Sequence, residues 1–269
     1  MNQEKSQAFV QVMFPSKPVE QLVPASYDYP VPLPLGGHIS ENQIKRHIAK
    51  LSPHKAMGTN EVPNIVLKEC ADLVLPYLLQ VFWAVFKLNV YHAQWREIIT
   101  CVLQKPGKPH YDVPKAYQPI ALLNTIAKLL TSVVAEELSI LVETHQLLPV
   151  THFGGWPGRM MTDPFHLLMD MVKATWRKKQ VVSALFLDVE GAFPNVVTHC
   201  LLHNMKKRHV PAAYVAFLSN LLTGRRTHLK FDDYTSDWFD LDNGIGQGDP
   251  LSMLLYLFYN ADLLDIAVR

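Results

Sequence analysis

Cysteine is scarce in this sequence: the 269 residues include three, Cys70, Cys101 and Cys200, which lie far apart. No two of them form a Cys-x-x-Cys pair. The spacing therefore indicates buried or free thiols in a reducing compartment. We expect an intracellular protein, nuclear or cytoplasmic.

Long apolar runs are absent as well. No stretch is apolar over the roughly 20 residues that are needed to span a bilayer. The opening segment, Met1–Lys5, is not followed by the apolar core of a secretory signal. The sequence therefore predicts neither a membrane-spanning helix nor export.

An excess of charge of either sign is also missing. The 25 Lys and Arg residues almost balance 24 Asp and Glu residues, which leaves a net charge of +1. Bulk charge therefore gives no reason to expect nucleic-acid binding, and only a local cluster could do so. A hydrophobic content of 49% with 18% charged residues is typical of a folded globular protein.

The N-terminal region differs in composition from the rest of the chain. Residues 1–38 contain six prolines, followed in the sequence by Gly36-Gly37, and show no sustained hydrophobic period. We expect a linker or extended arm there. Helical patterns follow, because Ser40 and Gln43 have the spacing of a capping box and Ile126–Val142 repeats apolar residues at helical spacing.

An apolar run rich in β-formers, Val181–Leu187, ends on an acidic residue, Asp188. The run predicts a strand buried on both faces, although periodicity alone does not exclude a buried helix. A carboxylate held at the end of a rigid strand is suited to bind a hard cation. The plainer interpretation of Asp188 is a solvated strand end.

Two stretches around this point resemble a known family. Leu187–Pro194 reads Leu-Asp-Val-Glu-Gly-Ala-Phe-Pro, and Gly244–Ser252 reads Gly-Ile-Gly-Gln-Gly-Asp-Pro-Leu-Ser. Both are similar to motifs of the reverse transcriptase of LINE-like (non-LTR) retrotransposons. The likeness follows the family's order over residues 39–269 and includes Gln104–Pro109, Ala116–Asn124 and Phe153–Arg159.

The resemblance implies a site for metal and nucleotide. Asp188 would be a catalytic carboxylate that binds Mg²⁺ together with the Val189 carbonyl oxygen. The residues implied to contact the incoming dNTP are Lys105, Phe193, Gln247 and Gly248. Plainer interpretations stand beside these roles: a lysine on a turn is usually solvated, Phe193 alone suggests a core residue, and the glycines alone predict a strand-to-helix turn.

The implied partners are an RNA template and a DNA primer. The phosphates of the template would meet the basic cluster Arg177-Lys178-Lys179, which ends an amphipathic helix predicted to start at Thr162. A run of charges is also typical of a solvated helix face. Gln118 and Trp156 stand where the family usually has Arg, and Gln cannot offer phosphate the bidentate contact of a guanidinium.

The family's other two catalytic carboxylates come from an Asp-Asp hairpin that follows the Gly-Gln-Gly stretch and a helix. Phe231–Tyr234 contains an Asp-Asp pair but precedes that stretch, so we interpret it as a turn. Asp262 and Asp265 fall within a helix predicted to begin at Pro250. We therefore expect a chain truncated before the hairpin, an incomplete catalytic set and no polymerase activity from this chain alone.

Periodicity and resemblance together predict an α+β fold, helix-rich with a small antiparallel sheet. Residues 39–180 would form a fingers-like region and residues 181–269 a partial palm. The predicted function is that of a fragment of an RNA-directed DNA polymerase from a LINE-like retroelement. The alternative is a non-catalytic nucleic-acid-binding or interaction protein derived from the same fold, and the sequence does not specify an oligomeric state.

Overall fold

The structure is a computed structural model and describes residues 2–20, 22–155, 158–160 and 162–267. Its helices are α1 (Asn2–Met13), α2 (Glu41–Lys50), α3 (Asn64–Glu69), α4 (Ala71–Lys87), α5 (Thr125–His145), α6 (Asp163–Arg177), α7 (Thr198–Lys207), α8 (Ala212–Leu222) and α9 (Ser252–Ala267). Its strands are β1 (Glu97–Gln104), β2 (Tyr117–Leu122), β3 (Arg225–Phe231), β4 (Tyr234–Thr235) and β5 (Phe239–Leu241).

The strands form a mixed sheet in the order β2-β1-β3-β4, and β5 also pairs with β3. β1 is antiparallel to β2 and parallel to β3, whereas β4 and β5 are antiparallel to β3. The predicted α+β class is confirmed. The parallel pair is the departure from the antiparallel sheet that we expected, and it arises because four helices, α5 to α8, connect β1 and β2 to β3.

Helix α5 lies in the main hydrophobic core. The Asn124 side chain caps it by accepting hydrogen bonds from the backbone N–H groups of Ile126 and Ala127. Apolar side chains of α5 are buried along most of its length, together with side chains from α2, α4, α7, α8 and α9. This confirms the helix predicted over Ile126–Val142, and the capping box of Ser40 and Gln43 also forms.

The N-terminal region is not the uniform linker that we expected. Asn2–Met13 forms α1, whose Phe9 and Met13 are buried in a second, smaller hydrophobic cluster against the sheet. The sequence analysis missed this short helix because the proline-rich residues that follow it dominate the composition of the region. Residues 22–39 contain no helix or strand.

The apolar run Val181–Leu187 does not form the buried strand that we predicted. Its backbone has no regular secondary structure, and Phe186 and Leu187 are 77% and 81% exposed. Among the residues that the structure describes, no strand pairs with this run. A strand requires a neighbour for its backbone hydrogen bonds, so apolar composition alone does not produce one.

Helix α6 precedes this run and starts close to where we predicted, with Pro164 in its first turn. None of its residues is buried, and Phe165 and Trp176 expose most of their surface. Helix α6 and residues 181–187 therefore present an apolar surface, which we call the α6 surface. Surfaces of this kind promote association.

We expect the α6 surface to make the chain associate in solution. Replacing Phe165, Trp176 and Phe186 together by serine should shift the protein toward a monomer, because it removes exposed apolar area. Light scattering across a concentration series measures this effect. A parent chain that stays monomeric over the whole series would contradict the expectation.

In the part of the chain that the structure describes, no helix has the length and apolar character that crossing a membrane requires.

Candidate functional site

The glycine loop, Asn243–Asp249, is held against two other parts of the chain. The Ile245 N–H donates a hydrogen bond to the Phe193 carbonyl oxygen at 3.0 Å, and the Gly244 N–H donates to the Val196 carbonyl oxygen at 2.8 Å. On the other side, the Ala121 N–H of β2 donates to the Gln247 carbonyl oxygen at 2.8 Å. The fold thus brings together three segments that are distant in sequence.

Two glycines make this close approach possible. Gly244 has φ +82°, and a Cβ there would lie 2.9 Å from the Pro194 carbonyl oxygen. Gly248 has φ +121°, and its Cβ would lie 2.8 Å from the Ala121 carbonyl oxygen. Residues other than glycine rarely adopt such φ values. The carbonyl groups of Pro194 and Ala121 belong to the backbone, so they cannot move aside as a flexible side chain would. The loop therefore depends on glycine for both its shape and its position.

Phe193 and Gln247 line one pocket beside this loop. The Phe193 ring is fixed by an edge-to-face contact with Tyr256, with 5.5 Å between ring centroids. Gln247 is exposed, so its side chain is available to a ligand. Pro119 and Ala121 of β2 also line the pocket.

A buried guanidinium group holds the glycine loop in place through hydrogen bonds. Arg225, at the start of β3, donates hydrogen bonds to the carbonyl oxygens of Leu222, Asn243 and Gly244. Burial lowers the pKa of the Arg225 guanidinium to about 10. Desolvation also raises the pKa of the Asp249 carboxyl, which accepts a hydrogen bond from the Leu251 N–H at the start of the α9 region. No sequence motif indicated Arg225, because its contacts with the carbonyl groups of Asn243 and Gly244 depend on the fold.

Asp188 does not lie among the residues that line this pocket. It is exposed, and its carboxylate accepts a hydrogen bond from the N–H of Val189, its neighbour in sequence. Within the described residues, no group of three His, Cys, Asp or Glu side chains is arranged to hold a metal ion. As placed here, Asp188 and Val189 do not form a complete metal site.

Lys105 and the basic cluster lie outside the pocket lining as well. Lys105 follows β1, and its Nζ donates a hydrogen bond to the Lys115 carbonyl oxygen at 3.1 Å. Arg177, Lys178 and Lys179 are exposed at the end of α6. Trp156, one of the two departures from the family's arginines, lies outside the described residues.

The two other acidic pairs lie where we interpreted them from the sequence. Asp232 occupies a turn between β3 and β4 with φ +50°, and it forms an ion pair with Lys5 of α1. Asp262 and Asp265 lie on α9 and form ion pairs with Arg208. Asp232, Asp262 and Asp265 therefore have structural partners.

Comparison with known proteins agrees with the family resemblance of the sequence motifs. A family model described as "Reverse transcriptase (RNA-dependent DNA polymerase)" matches residues 103–267. The chain is 30% identical over 221 residues to the probable RNA-directed DNA polymerase from transposon X-element of Drosophila melanogaster, covering 82% of this chain and 24% of that protein.

Two further relatives come from the same fly. The probable RNA-directed DNA polymerase from transposon BS is 29% identical over 225 residues, which cover 84% of this chain and 25% of the relative. The RNA-directed DNA polymerase from mobile element jockey is 24% identical over 245 residues, which cover 91% of this chain and 26% of the relative. The chain thus spans about a quarter of the length of these relatives.

Proposed function

This chain belongs to the reverse transcriptase family, and on that premise we propose that it forms the nucleotide-binding part of an RNA-directed DNA polymerase from a LINE-like retroelement. The observation that supports this most directly is the shared pocket of Phe193 and Gln247 beside the glycine loop. The alternative, a non-catalytic interaction protein, is not favoured, because the chain's relatives bear the name RNA-directed DNA polymerase.

In this proposal the pocket residues bind and orient a dNTP. The flat ring of Phe193 packs under the sugar, and Gln247 donates or accepts a hydrogen bond at the nucleotide. Gly248 lets the loop backbone approach the ligand closely, because it has no side chain. Lys105 supplies a positive charge to the triphosphate from the end of β1. Gln118, which lies opposite Leu103 in the β1–β2 pair, lacks the fork of an arginine, so we expect modest affinity.

The reverse transcriptase family is metal-dependent, and we propose Mg²⁺ as the metal. The Asp188 carboxylate and the Val189 carbonyl oxygen would supply two oxygen ligands of the kind that Mg²⁺ prefers. These two groups do not complete a site in the described residues. We therefore expect no RNA-templated primer extension by these 269 residues alone. Measurable dNTP incorporation that the substitution Asp188→Asn abolishes would refute this expectation.

Nucleotide binding tests the proposal. The chain should bind a fluorescent dNTP in the presence of Mg²⁺, and Gln247→Ala should weaken binding about fivefold, the value of one hydrogen bond of about 1 kcal/mol. Gln94→Ala is the matched control, since Gln94 is exposed and does not line the pocket. Equal affinities for the parent and Gln247→Ala would count against a nucleotide site here.

We propose that the basic cluster Arg177-Lys178-Lys179 contacts the phosphates of the RNA template. Replacing all three by Gln should weaken binding to single-stranded RNA. It should also reduce the slope of log affinity against log salt by about 2, because each phosphate contact contributes about 0.7. Replacing Lys17, Lys50 and Lys87, which are also exposed, makes the same charge change elsewhere. If both triple variants lose the same affinity, the cluster has no special role.

Location inside the cell, nuclear or cytoplasmic, is part of the proposal. It is supported by Cys70, Cys101 and Cys200, which are all free thiols. The proposed partners are an RNA template, a DNA primer and dNTPs.

A further inference from the structure

The C-terminal end of α1 lies in the same pocket as the proposed nucleotide-binding residues. Met13 and the next residue, Phe14, line this pocket together with Phe193 and Gln247. Met13 is buried, and the Phe14 ring packs against the Phe239 ring of β5 with 5.4 Å between centroids. Residues that are far apart in the sequence therefore line one small cavity.

With α1 in this position the pocket is too small for a nucleotide. Its volume is about 50 Å³, whereas sites that bind small molecules usually enclose about 300–1,000 Å³. A cavity of this size holds one or two water molecules. A dNTP can enter only if part of the lining moves.

Helix α1 is a part of the lining whose buried apolar side chains lie outside the main hydrophobic core. Its apolar anchor is Phe9, which is 2% exposed and contacts the rings of Tyr117 and Phe231 with centroid distances of 4.9 and 5.2 Å. The Lys5–Asp232 ion pair at the surface also ties it to the sheet. The smaller hydrophobic cluster that contains Phe9 is separate from the main hydrophobic core. In the proline-containing segment after Phe14, the residues that the structure describes form no helix or strand that would fix α1 to its neighbours in sequence. Helix α1 can therefore leave the sheet while the main core stays intact.

The glycine loop and Phe193 are held much more firmly. Backbone hydrogen bonds join this loop to β2 and to the segment that carries Phe193. The Arg225 side chain also donates a hydrogen bond to the Gly244 carbonyl oxygen of the loop. Movement of α1 is consequently the least disruptive way to enlarge the pocket.

We propose that α1 with Phe14 is an autoinhibitory cover of the nucleotide pocket. Docked on the sheet it excludes a dNTP, and a dNTP binds to the form in which α1 has moved away. This inference rests on the proposed function, because it assumes that the pocket of Phe193 and Gln247 is the nucleotide site. Occupancy of the pocket by α1 and by nucleotide is then mutually exclusive, which makes the two binding events oppose each other.

The test compares the affinity of variants of the 269-residue chain for a fluorescent dNTP with Mg²⁺. Phe9→Ala removes the apolar anchor of α1, and Phe14→Ala removes the ring at the pocket while leaving that anchor in place. Both should raise affinity, by about tenfold for Phe9→Ala, a typical size for coupling between two equilibria. Val12→Ala is the matched control, because Val12 is an apolar residue on the exposed side of the same helix, and it should leave affinity unchanged.

A further variant locates the effect. Adding Gln247→Ala to Phe9→Ala should remove most of the gain, and hydrogen exchange of residues 2–14 should become faster when nucleotide is added to the parent chain. If Phe9→Ala and Phe14→Ala bind no more tightly than the parent while Gln247→Ala still weakens binding, the cover is overturned and the nucleotide site stands. If no variant binds nucleotide, both the cover and the proposed function fail.

Discussion

Replacing Gly248 by alanine is expected to abolish dNTP binding and to lower the free energy of unfolding by about 3 kcal/mol. An L side chain at φ +121° is strained, and the new methyl group would lie 2.8 Å from the Ala121 carbonyl oxygen. Backbone strain of this kind costs about 1–3 kcal/mol, and overpacking adds a similar amount. Since Ala121 also holds Gln247 through a backbone hydrogen bond, the clash displaces the binding residue itself.

Gly37→Ala is the control for this substitution. No atom lies within 4 Å of the Cβ that alanine would add there, and Gly37 does not have a positive φ. Its effect on unfolding should stay within about 0.5 kcal/mol, and nucleotide affinity should not change. Chemical denaturation and dNTP titration of the two variants measure both effects. A Gly248→Ala protein with the parent's affinity would show that the glycine loop does not adopt this conformation.

The substitution Phe258→Ala is expected to have the largest effect on stability. Phe258 of α9 is fully buried, with 0% of its surface exposed, and belongs to the main hydrophobic core. Removing a buried phenylalanine side chain usually costs about 3–5 kcal/mol, because apolar contacts are lost and a cavity remains. A loss of this size is a large fraction of the stability of an ordinary domain, so the variant should unfold at a much lower denaturant concentration.

Leu263→Ala tests whether burial is the cause. Leu263 lies on the same helix and is 58% exposed, so the same kind of truncation should change the free energy of unfolding by less than about 0.5 kcal/mol. Circular dichroism of both variants in increasing urea provides the comparison. Similar losses in the two variants would mean that α9 does not pack as the structure shows.

The sequence predicts the elements of this fold whose signal is local. Helix α5 is visible from its hydrophobic period, and the start of α2 is visible from the capping box of Ser40 and Gln43. The turn at Asp232 is visible because polar residues separate two runs of β-formers. Each of these depends on neighbours within a few residues, which a sequence displays directly.

The sequence analysis missed or wrongly predicted the features that depend on partners distant in sequence. Val181–Leu187 has the composition of a buried strand, but a strand also needs a paired neighbour, and none is present in the described part of the chain. Arg225 stabilises the glycine loop through carbonyl groups up to 19 positions away in sequence. Helix α1 packs on residues such as Tyr117 and Phe231, whose proximity follows from the fold alone.

The residues of the candidate site also differ in whether the structure brings them to one pocket. The similarity of the motifs to those of reverse transcriptases indicated Phe193 and Gln247, and the structure places both on one pocket. Asp188 was indicated by the same motifs but does not line that pocket. The difference follows from the surroundings: Phe193 and Gln247 lie in segments joined by backbone hydrogen bonds, whereas Asp188 follows the exposed, unpaired run.

Hydrogen exchange in the presence of saturating dNTP and Mg²⁺ tests the central claim most directly, because it shows where the nucleotide binds. We predict slower exchange in residues 193–196 and 243–249 and at Ala121, the segments joined around the pocket. A second cavity, lined by Trp83 and Tyr214, provides an internal comparison and should not change. Protection at that cavity, with no change around Phe193 and Gln247, would contradict the account.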